Sequence, residues 1–221
     1  MPAKPTPQAA SRPKRERKEN AARRRRQLLD ATARSIVANG LSRTTLATVA
    51  DEADLSQGVA VFYFETKHRL LTEVLRDQYA KYETLWNKTL AQAADDPVSQ
   101  LVAIVKADFD KRICNPSTLS LWFAFWGEQS FTPIYSDIAQ EFDQRRTEAI
   151  LGICTRLIPT DPDRAAEIAD FIDTMIDGYW QYMHLYAAQY DRGKSLARVF
   201  RFIGMQLPEH RAALDRATAG N

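Results

Sequence analysis

The run VAVFYF at residues 59–64 has the composition of a buried strand, yet the chain around it offers no strand to pair with. From residue 67 onward, apolar residues return at helical spacing over 70–90, 98–113, 117–129, 134–158, 164–188 and 196–206. The breaks carry turn chemistry: Asp95-Asp96-Pro97, Asn115-Pro116, Thr132-Pro133, Pro159-Thr160-Asp161-Pro162 and Asp191-Arg192-Gly193. An isolated strand or single hairpin is marginal in water. Residues 59–64 are therefore predicted to be a helix in which packing overrides β propensity. The fold class that follows is all-α, with about nine helices.

The segment before this run supplies its context. Leu28, Leu29, Ala33, Ile36 and Val37 share one helical face, and Gly40 stands where a C-terminal cap is wanted. Thr44 and Thr45 are N-cap candidates for a short second helix carrying Leu46, Val49, Ala50 and Ala53 on its apolar side, and Ser56 is placed to cap a third. A supporting helix followed by helix, tight turn and helix is the layout of a helix-turn-helix DNA reader, whose last element lies in the major groove. Leu55, Ala60 and Phe64 then face the core, and Gln57, Val59, Val61, Phe62 and Tyr63 take the other sides. Ser56 and Gln57 address base edges, Val59 and Val61 touch thymine methyls, Tyr63 and Lys67 reach phosphates, and Gly58 lets the backbone approach closely. So few hydrogen-bonding side chains imply that specificity rests partly on DNA shape.

Charge agrees with this reading. Residues 1–26 hold ten Lys or Arg against two Glu, so a head of +8 precedes a body of −6. The organisation expected is a disordered basic arm at 1–21, a DNA-binding domain at 22–82 with its helix-turn-helix at 45–64, a larger helical domain at 83–208, and a flexible tail at 209–221.

RRRQLLDATARSIVANGLSRTTLATVADEADLSQGVAVFYFETKHRLL, residues 24–71, resembles the N-terminal domain of the TetR family of transcriptional regulators. The pieces that carry the resemblance are Thr44-Thr45-Leu46, Ser56-Gln57-Gly58 and Tyr63-Phe64-Glu65-Thr66-Lys67. The chain departs from the family pattern at Asp54, where Gly is common, and at Val59 and Val61, where polar residues or Tyr are common. The resemblance implies a homodimer bound to double-stranded DNA at a near-palindromic operator and released by a small effector, with residues 164–188 and 196–206 as the dimer interface. A narrower likeness lies in LSLWFAFWGEQ (119–129) and FIDTMIDGYWQYMHL (171–185), which are similar to helices of choline-responsive members of the family.

That likeness implies a quaternary ammonium effector held by Trp122, Phe125, Trp126, Tyr179 and Trp180, with Asp173 and Asp177 adding negative charge. Aromatic faces suit such a cation, although aromatics four apart on a helix also serve as ordinary core. An uncharged or aromatic effector is the alternative. An enzyme is not supported: His68, His184 and His210 share no metal-ligand or catalytic spacing, and Gly193-Lys194-Ser195 lacks the upstream glycine and strand of a phosphate loop. No cofactor or metal is expected. Cys114 and Cys154 read as reduced packing residues. No apolar run approaches the roughly 18 residues of a membrane span, and the N-terminus lacks a secretory core. A cytoplasmic address follows as the expectation.

Overall fold

The computed structural model describes residues 14–219, among which every regular element is helical. In chain order these are α1 (Lys14–Arg43), α2 (Leu46–Glu52), α3 (Gln57–Phe64), α4 (Lys67–Gln92), α5 (Pro97–Asp108), α6 (Pro116–Trp126), α7 (Pro133–Leu157), α8 (Pro162–Leu185), α9 (Arg192–Gln206) and α10 (Arg211–Ala219), with a short 3₁₀ turn at Pro208–His210 before α10.

Residues 59–64 fall in α3, as the missing sheet requires. Ala60 and Phe64 are buried, Leu55, Val59 and Tyr63 pack partly against the core, and Val61 and Phe62 are exposed. Gln27 Nε2 donates to the Ala53 carbonyl and fastens the α2–α3 turn to α1. Asp54 turns the chain at φ 52, the left-handed region where glycine is usual.

The Asx-Pro pairs are helix starts as well as breaks. Asp96, Asn115 and Asp161 each accept a hydrogen bond from the backbone N–H three residues on, and each is followed by proline at the first helical position. Thr132 precedes Pro133 without a side-chain cap. At α2 the cap is Thr45, in a reciprocal capping box with Thr48.

Three expectations need correction. Ser56 occupies the N-cap of α3 but makes no side-chain cap hydrogen bond. The first helix begins at Lys14, within the segment 1–21 expected to be a disordered arm, because KRERKENAARRRR, though without an apolar face, consists mostly of good helix formers. The rest of the proposed arm lies outside the described residues. At the other end, where a flexible tail was expected, α10 packs on α5 and α9 through Leu214, a single buried leucine that gives no periodicity to read.

Helix α4 joins the two regions and contains the expected boundary at 82. Its first half holds α1: Arg26 bridges to Asp77 at 2.5 Å and to Asp30 at 2.6 Å, and Arg25 pairs with Glu73. Two arginines of the basic run thus fasten α1 to the first half of α4. The core of the small domain should accordingly depend on Phe64. Phe64→Ala is expected to cost about 3–5 kcal/mol by cavity formation, whereas Phe62→Ala stays within about 0.5 kcal/mol, as read by urea denaturation.

Candidate functional site

Two surfaces stand out. The first is the outer face of α2–α3, where Thr45, Ser56, Gln57, Gly58, Val61 and Phe62 are exposed, with Val59, Tyr63 and Lys67 half-buried behind them. Phe62 is 78% exposed, and its ring meets Tyr63 edge-on at 5.2 Å. Thr44 does not belong to this face. It is fully buried, its hydroxyl donating to the Gly40 carbonyl at 2.9 Å and lying 3.2 Å from Ser35 Oγ, so it anchors the turn. Lys67 Nζ donates to the Ser42 carbonyl at 2.8 Å and ties the start of α4 to the end of α1.

The second is a cavity of ≈ 290 Å³ among α4, α6, α7 and α8. Tyr79, Tyr82, Trp122 and Trp180 form its buried aromatic wall, and Trp126 stands at its less buried side. The Tyr79 and Trp122 rings meet edge-on at 4.6 Å, Tyr82 and Trp180 lie 5.6 Å apart, and Trp122 and Trp180 stack at 6.5 Å. Trp180 is locked by its indole N–H, which donates to the Asp108 carbonyl at 3.0 Å. The Trp122 indole N–H is buried with no partner.

Carboxylates complete the lining. Arg146, from α7, donates to Asp108 through Nη2 at 2.6 Å and to Asp173 through Nη1, while Tyr82 donates its hydroxyl to Asp108. The guanidinium is thereby matched by two carboxylates. Asp143 and Asp177 remain outside this network. Asp143 accepts from the Tyr79 hydroxyl at 3.4 Å, and burial pushes its carboxyl up to about 6 against the pull of Arg146. Asp177 is pushed up to about 7, first by burial and then by Asp173, Asp143 and Asp108, with Arg146 opposing. Asp177 lines the cavity and is itself exposed.

Of the expected ligand residues, Trp122, Trp126, Asp173, Asp177 and Trp180 line this cavity, and Phe125 and Tyr179 do not. Phe125 is fully buried edge-on against Tyr135, away from the cavity, and Tyr179 packs partly against the core. A helix shows one face to a cavity, so consecutive aromatics cannot all reach it. The sequence reading missed Tyr79, Tyr82, Asp143, Arg146, Thr147, Asp170 and Thr174. The available signal was the polar stripe Asp170, Asp173, Thr174 and Asp177, at helical spacing on a helix with an otherwise apolar face.

An exposed short helix held by a helix-turn-helix core, ahead of a helical domain with an internal aromatic and acidic cavity, defines a ligand-responsive DNA-binding regulator. The comparisons agree. Residues 28–74 match the family described as bacterial regulatory proteins, tetR family, and residues 97–208 match the BetI-type transcriptional repressor, C-terminal family. The HTH-type transcriptional regulator BetI of Stenotrophomonas maltophilia (strain R551-3) is 33% identical over 184 residues, covering 83% of this chain and 93% of the relative. BetI of Burkholderia thailandensis is 33% identical over 187 residues with the same coverage.

Among solved structures, a transcriptional regulator from Pseudomonas aeruginosa PAO1 aligns with TM-score 0.76 at 19% identity, covering 86% of this chain and 94% of that one. A transcriptional regulator from Saccharomonospora viridis, solved in complex with choline, aligns with TM-score 0.73 at 21% identity, covering 82% and 96%. The chain belongs to the TetR family, with a BetI-type C-terminal domain, and is a transcriptional repressor rather than an enzyme. Regulators of this family bind DNA operators and small-molecule effectors.

The cavity carboxylates make a prediction about stability. An unfolded Asp loses its proton near pH 3.9, whereas Asp177 holds its proton up to about 7 in the fold. The native state therefore binds the extra proton between these values, and ionisation of Asp177 costs stability as pH rises through them. Asp177→Asn is expected to raise the melting temperature at about pH 8 and leave it unchanged at about pH 4, as read by calorimetric scans at both.

Proposed function

We propose that this repressor is a homodimer holding two α3 helices in adjacent major grooves of a near-palindromic operator, and that a small quaternary ammonium, choline or a close analogue, releases it by entering the cavity walled by Trp122 and Trp180. The observation that carries the effector assignment is the pairing of four buried aromatic rings with two carboxylates, Asp143 and Asp177, that Arg146 does not neutralise by contact. A trimethylammonium head offers no N–H to donate, so its desolvation is best offset by π-faces and nearby negative charge, each ring contributing roughly 0.5–2 kcal/mol. The volume suits a small solute, since drug-sized ligands occupy about 300–1,000 Å³. The unpartnered indole N–H of Trp122 is a donor for a hydroxyl oxygen. The choline-bound Saccharomonospora relative and the BetI names support the same choice.

On the DNA side, an added Cβ at Gly58 would meet only Ser56 Oγ at 3.9 Å, so nothing within the fold demands glycine there. Its lack of a side chain favours close approach by a ligand outside the fold, which on this face is DNA. Of the expected DNA-contacting residues, Thr44 is an anchor, and Thr45, Ser56, Gln57, Gly58, Val61 and Phe62 form the reading surface with Val59, Tyr63 and Lys67 behind them. Dimerisation through α8 and α9 would cover Phe171, Tyr182, Leu185 and Met205, large apolar side chains that are exposed in the single chain. The effector acts by population shift: binding favours a spacing of the two α3 helices that the operator does not match.

Two outcomes test these assignments. Choline is expected to bind at least tenfold more tightly than 3,3-dimethylbutan-1-ol, its uncharged isostere, corresponding to about 1.4 kcal/mol of cation-specific attraction. Calorimetry reads the ratio, and equal affinities would point to an uncharged effector. Trp126→Ala is expected to weaken choline by a similar factor. Gln57→Ala and Phe62→Ala should lower operator affinity in a fluorescence anisotropy titration while choline binding in calorimetry stays unchanged.

A further inference from the structure

The outer face of α3 is almost without hydrogen-bonding groups. Of its four exposed residues, Gln57, Gly58, Val61 and Phe62, only Gln57 carries a polar side chain. Base pairs are told apart in the major groove chiefly by their donors and acceptors, and what an apolar side chain can recognise there is the C5 methyl group of thymine. We infer that Phe62, flanked by Val61, reads the C5 methyl group of a pyrimidine in each operator half-site, and that 5-methylcytosine can take the place of thymine at that step. The inference rests on the placement of α3 in the major groove proposed above.

Gly58, Val61 and Phe62 stand at i, i+3 and i+4 and so share one face of the helix. Val61 is 41% exposed and Phe62 78%, whereas Val59 packs partly against the core and Ala60 is fully buried. A Cβ at Gly58 would meet only Ser56 Oγ, at 3.9 Å. The missing side chain leaves a notch one turn before Phe62, through which the helix backbone can sink toward the bases until the two apolar side chains reach them. The ring is also held in place. It meets Tyr63 edge-on at 5.2 Å, and the Tyr63 ring lies 6.4 Å from that of Phe64, which is buried. A braced ring loses little rotamer freedom when it docks.

Such a contact is blind to the rest of the base. Thymine offers O4 as an acceptor and cytosine offers N4 as a donor, a difference that a polar side chain detects and a phenyl ring does not. The methyl group of 5-methylcytosine occupies the same place in the major groove as that of thymine. Methylation of cytosine therefore raises affinity for a half-site that carries C·G at this step. A ring packed on the sugar-phosphate backbone would instead be indifferent to either methyl group.

The test is fluorescence anisotropy of the full chain on an operator selected from a randomised duplex pool, with each thymine of the half-site replaced in turn by deoxyuridine, symmetrically in both halves. At one step, loss of the methyl group is expected to weaken binding about fourfold per half-site, or about fifteenfold over the two. At that step an operator with 5-methylcytosine should bind more tightly than one with cytosine by a similar factor. Phe62→Ala, a surface change whose folding is checked by a melting curve, should remove most of both ratios. Gln57→Ala should weaken the thymine and uracil operators equally. Equal binding of thymine and uracil at every step, or ratios that survive Phe62→Ala, would overturn the inference, even where Gln57→Ala still weakens the operator. If neither Gln57→Ala nor Phe62→Ala alters affinity, the placement of α3 in the groove falls, and the inference with it.

Discussion

The buried ion pair between Arg146 and Asp108 is the constraint on which the larger domain depends. Asp108 is fully buried at the end of α5, and it receives the Arg146 fork from α7 and the Tyr82 hydroxyl from α4, while its backbone carbonyl receives the Trp180 indole from α8. Charges taken out of water cost several kcal/mol each unless they are well paired. Four helices are thus committed to a single meeting point, because moving any one of them away would leave a buried charge or donor unmatched. The aromatic wall is held in position by that commitment before any ligand arrives.

The same pairing explains the polarity of the cavity. Arg146 is used up by Asp108 and Asp173, and Asp143 and Asp177 are left as carboxylates with raised affinity for protons. Their repulsion is a stored preference for positive charge. A site that destabilises its own ionised form binds an organic cation more readily, and it does so at the expense of fold stability near neutral pH. Helix α4 connects the cavity to the small domain. It carries Tyr79 and Tyr82 on the cavity side and Asp77, fastened to Arg26 of α1, on the side of the DNA-binding domain.

Most of the fold was legible in the sequence because its signals are local. Apolar residues at helical spacing, Asx-Pro starts and the Thr45 cap act within a turn or two of the chain, and α4 to α9 fell within a few residues of their expected bounds. Phe64 and Ala60 were legible as core for the same reason. The cavity was less so. Trp122 and Trp180 were visible as aromatics, but whether Phe125 or Tyr79 joins them depends on how four helices are rotated against each other, which no single helix encodes. Arg146 and Asp108 are thirty-eight residues apart and look like solvated charges until α5 and α7 are packed together. The helix α10 escaped notice because one leucine, Leu214, anchors it.

In the proposed mechanism the aromatic cavity and the α2–α3 reading surface belong to one equilibrium, with cation and operator favouring opposite conformations. It is tested most directly by measuring the choline dissociation constant of the free protein and of the protein saturated with its operator. Choline is expected to bind more weakly on DNA, by the same factor by which saturating choline weakens the operator. Choline that binds the free and the operator-bound protein equally well would contradict it.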